Sequence, residues 1–315
     1  LAKGCASTAW NFANLASHHW MLAMFPGQAQ DEVWGTLPDA LIGSALVFPA
    51  GRAKRVQGGY RVSGHWPFSS GIDHSDWNML SAVVAGEGAD QPPEQRLFLV
   101  PDSDYQIIDT WHAMALKGTG SKDVKAEDVF VPAHRSLSIL EAGRGAPPGA
   151  AVNPGALFRI PMLAVFPYVL SGVALGLALG TWEDYVAATR TRLSNYTAAK
   201  LADFQSIQIK VATAHAEIDA AGLLMRRNCD EAMRLAGEGE LPDLEARARY
   251  RRDGAYAVGL CVKAIDTLFE ISGGGGIYER TGIQRAFRDI HGVKAHILFS
   301  MDAAATTYGR VVLGL

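Results

Sequence analysis

The stretch at residues 65–77 carries side chains suited to binding a flat ligand. It places two tryptophans and a phenylalanine beside the adjacent hydroxyls of Ser69 and Ser70, a glycine and a histidine-aspartate pair. Aromatic rings can cover the faces of a planar ligand while hydroxyls donate to its polar edge, and a flavin is such a ligand. The alternative is a buried strand end with a turn at Ser70 and Gly71, because Trp and Phe are mainly core residues.

Histidines at two other places could take part in proton transfer. His18 and His19 are adjacent in a helical pattern, so their side chains diverge by about 100° and only one can face a given cavity. An imidazole that titrates near neutral pH can accept a phenolic proton. His291 and His296 are five residues apart, which disfavours a shared metal site on one helical face. The alternative for each is a helix-surface or hydrogen-bonded core histidine.

The composition is that of an ordinary globular protein. Of 315 residues, 49% are apolar and 19% are charged, and the net charge of -3 gives no reason to expect nucleic acid or an anionic membrane as a partner. Cys5, Cys229 and Cys261 have no paired spacing, so no disulfide framework or metal site is indicated and a reducing cytoplasm is expected. No signal-peptide pattern follows Leu1, and we expect an N-terminal segment to precede it.

Hydrophobic periodicity divides the chain into a helical region, a β region, a linker and a second helical region, at residues 1–39, 40–140, 141–156 and 157–315. The first should be the remainder of an N-terminal helical domain, with helices at 2–25 and 28–33. The β region should be an antiparallel sandwich or small barrel, with strands at 45–48, 60–62, 79–84, 96–100, 105–108 and 124–131. The linker, rich in Ala, Gly and Pro, should be a connecting segment or a mobile loop.

The last region is predicted to be a four-helix bundle, with helices at 160–189, 201–237, 244–272 and 284–314. Residues 160–180 are apolar and long enough to span a membrane. Their prolines and glycines, and the amphipathic helices that follow, favour the central helix of a soluble bundle instead.

Seven short motifs occur in this order: Cys-Ala-Ser-Thr-Ala-Trp at 5–10, Ala-Ser-His-His-Trp at 16–20, Ala-Gln-Asp-Glu-Val-Trp-Gly at 29–35, Trp-Pro-Phe-Ser-Ser-Gly at 66–71, Gly-Thr-Gly-Ser at 118–121, Val-Phe-Val-Pro at 129–132 and Gln-Arg-Ala-Phe-Arg-Asp at 284–289. With the order of the regions, they resemble the acyl-CoA dehydrogenase fold. The chain is most similar to its monooxygenase branch, the oxygenase components of two-component flavin-dependent aromatic hydroxylases, members of which act on p-hydroxyphenylacetate and on a secosteroid phenol.

The resemblance implies catalytic roles for three residues. His18 would activate the phenol of the substrate, and Ser44 would orient its hydroxyl. His296, which the pattern places on the last helix, would approach the flavin. Ser69 is preferred to Ser70 as the donor to the flavin N5 edge. The other implied cofactor contacts are an apolar wall, a cation at the pyrimidine edge and a glycine turn at the phosphate, assigned to Trp66 and Phe68, Arg159, and Gly274 and Gly275.

The implied activity is hydroxylation of a phenolic or other aromatic substrate by reduced FMN or FAD and dioxygen, through a C4a-hydroperoxyflavin. No G-x-G-x-x-G motif opens a βαβ unit, so the reduced flavin is expected from a separate NAD(P)H-flavin reductase. The resemblance also implies a homotetramer. Two alternatives are an acyl-CoA dehydrogenase, although residues 295–300 contain no carboxylate base, and a non-catalytic scaffold, which would not need histidines at both positions.

Overall fold

The computed structural model describes residues 1–86 and 92–315. It begins with two helices, α1 (Ala6–Leu22) and α2 (Gly27–Trp34), on either side of Pro26 as predicted. Trp10 of α1 packs into a core shared with the C-terminal bundle, whereas Met21 packs into a second core shared with the sheet. The first helix therefore lies between sheet and bundle and presents side chains to both.

The part of the chain that the structure describes contains eight strands in one sheet: β1 (Ile42–Ala45), β2 (Gly51–Val56), β3 (Gly59–Ser69), β4 (Trp77–Val84), β5 (Glu94–Pro101), β6 (Gln106–Ile108), β7 (Lys122–Pro132) and β8 (Ser136–Ser138). Its order is β6-β7-β3-β2-β4-β5-β8, with β1 paired to β4. Both β1 and β2 run parallel to β4, because the chain keeps its direction through the short turn at Phe48–Ala50. The sheet is therefore mixed, whereas the sequence suggested an antiparallel one.

The strand β3 extends through residues 65–69, the first part of the stretch with candidate ligand-binding side chains. It is interrupted by a bulge between Trp66 and Ser69, at which Phe68 takes a left-handed φ of 68°. In a regular strand, side chains three residues apart point to opposite faces. The bulge changes that alternation, so that Trp66 and Ser69 are both buried.

The predicted linker carries a short helix, α3 (Ile139–Gly143), followed by two short turns. The segment that follows α3 packs on the first helical region, where the backbone nitrogen of Gly149 donates to the carbonyl of Met24 at 3.0 Å. The side-chain amide of Asn153 donates to the carbonyl of Ala23, also at 3.0 Å. These contacts attach the segment to the helices instead of leaving it as a free loop.

The C-terminal region contains α4 (Met162–Thr189), α5 (Gln205–Glu238), α6 (Leu244–Ser272), α7 (Gly282–Lys294) and α8 (Met301–Val312). The first of these is apolar and long enough to span a membrane, with a mean hydropathy of 2.1. However, 56% of its most apolar window is buried, and Leu170 and Val173 pack with Val258 and Ile290 in the bundle core. This packing is that of a core helix.

The predicted last helix is divided by a break at residues 295–300. Phe299 enters the bundle core, and its carbonyl accepts a 2.6 Å hydrogen bond from the Lys294 ammonium. The Ser300 hydroxyl then accepts from the backbone nitrogen of Ala303 and begins α8. His296 therefore lies in a bend, whereas the sequence pattern placed it on a continuous helix.

Candidate active site

His18 lies in the interior where α1 packs against β1, with 1% of its surface exposed. Its Nδ1 atom is 2.5 Å from the carbonyl oxygen of Ile42, and its Nε2 atom is 2.8 Å from the hydroxyl oxygen of Ser44. Because a carbonyl oxygen only accepts, a neutral His18 carries its hydrogen on Nδ1 and accepts the Ser44 hydroxyl at Nε2. The structure thus joins the two residues proposed to handle the phenol.

Burial lowers the pKa of His18 to about 4, and the hydrogen bond to Ile42 opposes this shift only in part. The imidazole is therefore neutral at physiological pH. Ser44 is only half-buried. The Ser44 hydroxyl, and not the imidazole behind it, is the more accessible group of the pair.

Acidification is expected to destabilise the fold through His18. The unfolded imidazole binds a proton near its ordinary pKa of 6.5, whereas the folded one binds a proton only near 4, so stability is lost as the pH falls through this window. The contribution should be roughly 2 kcal/mol between pH 7 and pH 5. Urea unfolding at both pH values should therefore show a smaller pH effect in His18→Gln than in the wild type. An identical pH effect in the two proteins would contradict the assignment.

Trp10 contacts both His296, the second predicted catalytic histidine, and Ser70, the residue that follows β3. The ring centroids of Trp10 and His296 are 5.7 Å apart at an interplanar angle of 65°, and the indole nitrogen donates to the Ser70 hydroxyl at 3.0 Å. The Nδ1 atom of His296 accepts from the backbone nitrogen of Leu298 at 3.3 Å, and burial lowers the pKa of His296 to about 4. His18 is itself on α1, about 12 Å along the helix axis from Trp10. His18 and His296 are therefore both close to α1, His18 as part of the helix and His296 through its contact with Trp10.

A directed chain of hydrogen bonds occupies the hydroxyl of Ser70. At one end the Trp10 indole can only donate to Ser70, and at the other the Leu116 carbonyl can only accept from Thr119, at 3.0 Å. The intervening bonds, Ser70 to Ser121 at 2.8 Å and Ser121 to Thr119 at 2.7 Å, must then run in the same direction. The hydroxyl hydrogen of Ser70 is used within the protein.

Ser69 has a different hydrogen-bonding pattern. It is fully buried and accepts from the side-chain amide of Asn78 at 3.1 Å. In residues 1–86 and 92–315, no acceptor is found for its own hydrogen. Of the two serines proposed for the flavin edge, Ser69 is therefore the one with a hydrogen left to donate.

Trp66, which the resemblance assigned to a wall for the flavin, is a core residue of the sheet. Its exposure is 0%, and its indole nitrogen donates to the carbonyl of Ser81 at 2.6 Å. A Cβ atom on Gly51 or Gly64 would lie 2.6 or 2.7 Å from the ring, so the indole fills the space that these glycines leave. Core packing and the bond to Ser81 account for this side chain without a ligand.

Phe68 points the other way and is 63% exposed. Its ring meets that of Trp111 edge to face, with centroids 6.4 Å apart. The left-handed φ of Phe68 is unfavourable for a large side chain and is held here by the strand pairing on either side of the bulge. Of the predicted apolar wall, Phe68 alone presents a surface that a ligand could contact.

Arg159, which the resemblance placed at the flavin, caps a helix. Its Nε and Nη2 atoms donate to the carbonyl of Ala236 in the last turn of α5, at 3.2 and 2.7 Å, and Nη1 donates to the carbonyl of Pro154 at 3.1 Å. A guanidinium at a helix C-terminus is stabilised by the unpaired carbonyls and the helix dipole. All three nitrogens are thus used within the protein.

Comparison with known proteins identifies the family of this chain. A family model for the acyl-CoA dehydrogenase C-terminal domain matches residues 168–301. The whole chain is 37% identical, over 325 residues, to 79% of the oxygenase component of the FADH2-dependent resorcinol hydroxylase from Rhizobium sp. (strain MTP-10005). The chain belongs to the flavin-dependent oxygenase components of the acyl-CoA dehydrogenase fold.

Two solved structures resemble this oxygenase component over its entire length. The 3-HSA hydroxylase from Rhodococcus sp. RHA1 is 35% identical with a TM-score of 0.93, and the match covers 80% of that chain. XiaF from Streptomyces sp., solved in complex with FADH2 and glycerol, is 30% identical with a TM-score of 0.90 over 79% of its chain.

The glycine turn of this oxygenase component borders a cavity of about 240 Å³. Gly275 lines the cavity, whereas the neighbouring Gly274 is exposed and does not. The lining also includes Arg192, which donates to the carbonyl of Ser272 at 3.2 Å, and Arg285. The carboxylate of Asp184 also lines the cavity, and Arg285 donates to the carbonyl of Gly4 at 3.1 Å. Of the two glycines predicted at the phosphate, Gly275 is the one that lines this cavity.

Trp10 and Asn78, which donate to Ser70 and Ser69, were not among the residues predicted from the sequence. Trp10 lies in the motif at 5–10, and its position two turns before His18 on a helix could have indicated a shared environment. Asn78 carries no such signal, since it is one polar residue just before a predicted strand. Its contact with Ser69 depends on the bulge in β3.

Proposed function

We propose that this chain hydroxylates a phenolic or other aromatic substrate with reduced flavin and dioxygen, as the oxygenase component of a two-component monooxygenase. The observation that carries the proposal is the pair of His18 and Ser44, in which a buried, neutral imidazole accepts from an accessible hydroxyl. The related resorcinol hydroxylase is named for a phenolic substrate, resorcinol.

The Ser69 hydroxyl at the end of β3 fits a flavin edge. Ser69 is fully buried but has an unused hydroxyl hydrogen. The edge of a reduced flavin at N5 and O4 includes an acceptor, O4, to which this hydroxyl can donate. We propose reduced FAD in preference to FMN because XiaF was solved with FADH2. Its phosphates would lie at Gly275, Arg192 and Arg285.

When bound, the reduced flavin supplies the electrons that activate dioxygen. The protein then has to exclude water and control the available protons. Trp10 and His18 are buried and close the site on the α1 side. Because Nδ1 of His296 accepts from the backbone, its hydrogen is on Nε2, where it can donate to the reacting oxygen.

Ser44 and His18 would remove the phenol proton late in the reaction. A phenol with a pKa near 10 does not transfer its proton to an imidazole with a pKa of about 4, because that step is disfavoured about a millionfold. Transfer of a hydroxyl group to the ring as HO⁺ breaks an O–O bond, leaves that bond's electron pair on the departing oxygen, and gives a cationic product whose phenolic hydroxyl is a strong acid. Ser44 can then accept this proton while its own hydrogen passes to Nε2 of His18. A weak base is sufficient for this step.

An acyl-CoA dehydrogenase remains the second candidate, but the bend that carries His296 contains no carboxylate to remove a proton. We also propose a separate NAD(P)H-flavin reductase, a homotetrameric assembly and a cytoplasmic location. The free thiols of Cys5, Cys229 and Cys261 are consistent with a reducing compartment.

The proposed function is tested by mixing the protein anaerobically with reduced FAD and then with oxygenated buffer in a stopped-flow spectrometer. We expect a transient near-ultraviolet absorbance and, with a phenol present, an ortho-hydroxylated product. Reduced FMN serves as the comparison for cofactor preference. Reduction of bound oxidised flavin by acyl-CoA thioesters without the transient would support the dehydrogenase, and no response to either would support a scaffold.

A further inference from the structure

Asn78 is the direct hydrogen-bonding partner of Ser69. It lies on β4, opposite Gly43 of β1 and Val100 of β5, and its exposure is 0%. Its Nδ2 atom donates to the Ser69 hydroxyl oxygen at 3.1 Å across the bulge that ends β3. The amide of Asn78 therefore reaches Ser69 from inside the sheet.

The carboxamide of Asn78 is not expected to stabilise the fold. Its Oδ1 atom is buried and has no partner in residues 1–86 and 92–315. Burying an unpaired amide oxygen destabilises a fold, and an apolar side chain of similar size would avoid this cost. Within residues 1–86 and 92–315, this side chain makes one hydrogen bond, the one to Ser69.

The bond from Asn78 has a directional consequence. An amide N–H can only donate, so it occupies a lone pair of the Ser69 oxygen and leaves the hydroxyl hydrogen to point elsewhere. The next residue cannot accept that hydrogen by turning, since Ser70 is held in the chain from Trp10 to Leu116. If Asn78 presented an oxygen instead, the Ser69 hydroxyl would donate into the sheet.

We propose that Asn78 is a positioning residue that directs the Ser69 hydroxyl toward the N5 edge of the reduced flavin. The inference rests on the proposed function, because it requires the flavin edge to lie at Ser69. Asn78 does not touch the reacting atoms. Its effect is to keep one hydroxyl in the donating orientation that the cofactor requires.

The test compares Asn78→Leu, Ser69→Ala and the double variant by anaerobic binding of reduced FAD and by the decay of the transient absorbance after oxygen is added. Asn78→Leu should shorten the transient about tenfold, as expected for the loss of one oriented hydrogen bond. Ser69→Ala should have a similar effect, and the double variant should be no worse than Ser69→Ala, because both changes remove the same interaction. Hydrogen peroxide released per flavin should rise in parallel.

Ser81→Ala is the matched control, since Ser81 is also a fully buried polar residue of β4 and its hydroxyl donates to the carbonyl of Ala45. It should lower thermal stability without changing the decay. An unchanged decay in Asn78→Leu or in Ser69→Ala, or additive effects in the double variant, would overturn the inference while the wild-type transient still supported the proposed function. Absence of the transient in the wild type would overturn both.

Discussion

Replacing His18 with asparagine is expected to lower kcat for hydroxylation of a phenol by about 10²–10³-fold, the range lost when a positioned acid-base group is removed. The imidazole is the terminal acceptor of the proton that Ser44 passes on, and its position is fixed by bonds to both Ile42 and Ser44. Asparagine can keep a hydrogen bond to the Ile42 carbonyl but has no basic nitrogen at the position of Nε2. The transient absorbance should still form, because His18 acts on the substrate.

The measurement is the ratio of hydroxylated product to hydrogen peroxide in single-turnover reactions with reduced FAD. His19→Asn is the matched control, because His19 is the adjacent residue of α1 but accepts a 3.0 Å hydrogen bond from the Trp34 indole. Product formation should fall in His18→Asn and remain at the wild-type level in His19→Asn. Equal losses in the two variants would indicate damage to α1, and no loss in either would exclude His18 from the reaction.

Replacing Trp66 with alanine is expected to reduce the free energy of unfolding by about 3–5 kcal/mol, as for other large aromatic residues removed from a core. The indole is fully buried and fills the space above Gly51 and Gly64, so its removal leaves a cavity and an unpaired carbonyl at Ser81. Urea unfolding of the protein without cofactor measures the loss directly.

Phe68→Ala is the control for Trp66→Ala, because Phe68 is on the same strand but is 63% exposed. Its removal should change the stability of the cofactor-free protein by less than about 1 kcal/mol. If Trp66 instead served the cofactor, Trp66→Ala would weaken binding of reduced FAD while leaving the stability of the free protein intact. That result would restore the role suggested by the sequence.

Local pattern predicted the helices well where burial on one face repeats along the chain. Both α4 and α6 begin and end within two residues of their predicted bounds. Hydrophobic periodicity did not predict β2, because this strand is exposed on one side and carries the charged residues Arg52, Lys54 and Arg55. It also missed the break at residues 295–300, which depends on the burial of Phe299 and the contact of Lys294 with its carbonyl.

The sequence by itself determined the order of the regions and the family resemblance, because both depend on residues close together in the chain. Comparison with known proteins confirmed the family resemblance. The tertiary structure decided which side chains are free to act. Trp66 and Arg159 have the right chemistry for a flavin site, but packing and carbonyl contacts occupy them. Ser69 and Ser70 are chemically identical, and only their partners distinguish them. Those partners come from distant strands and helices, so their effect is set by the folded geometry.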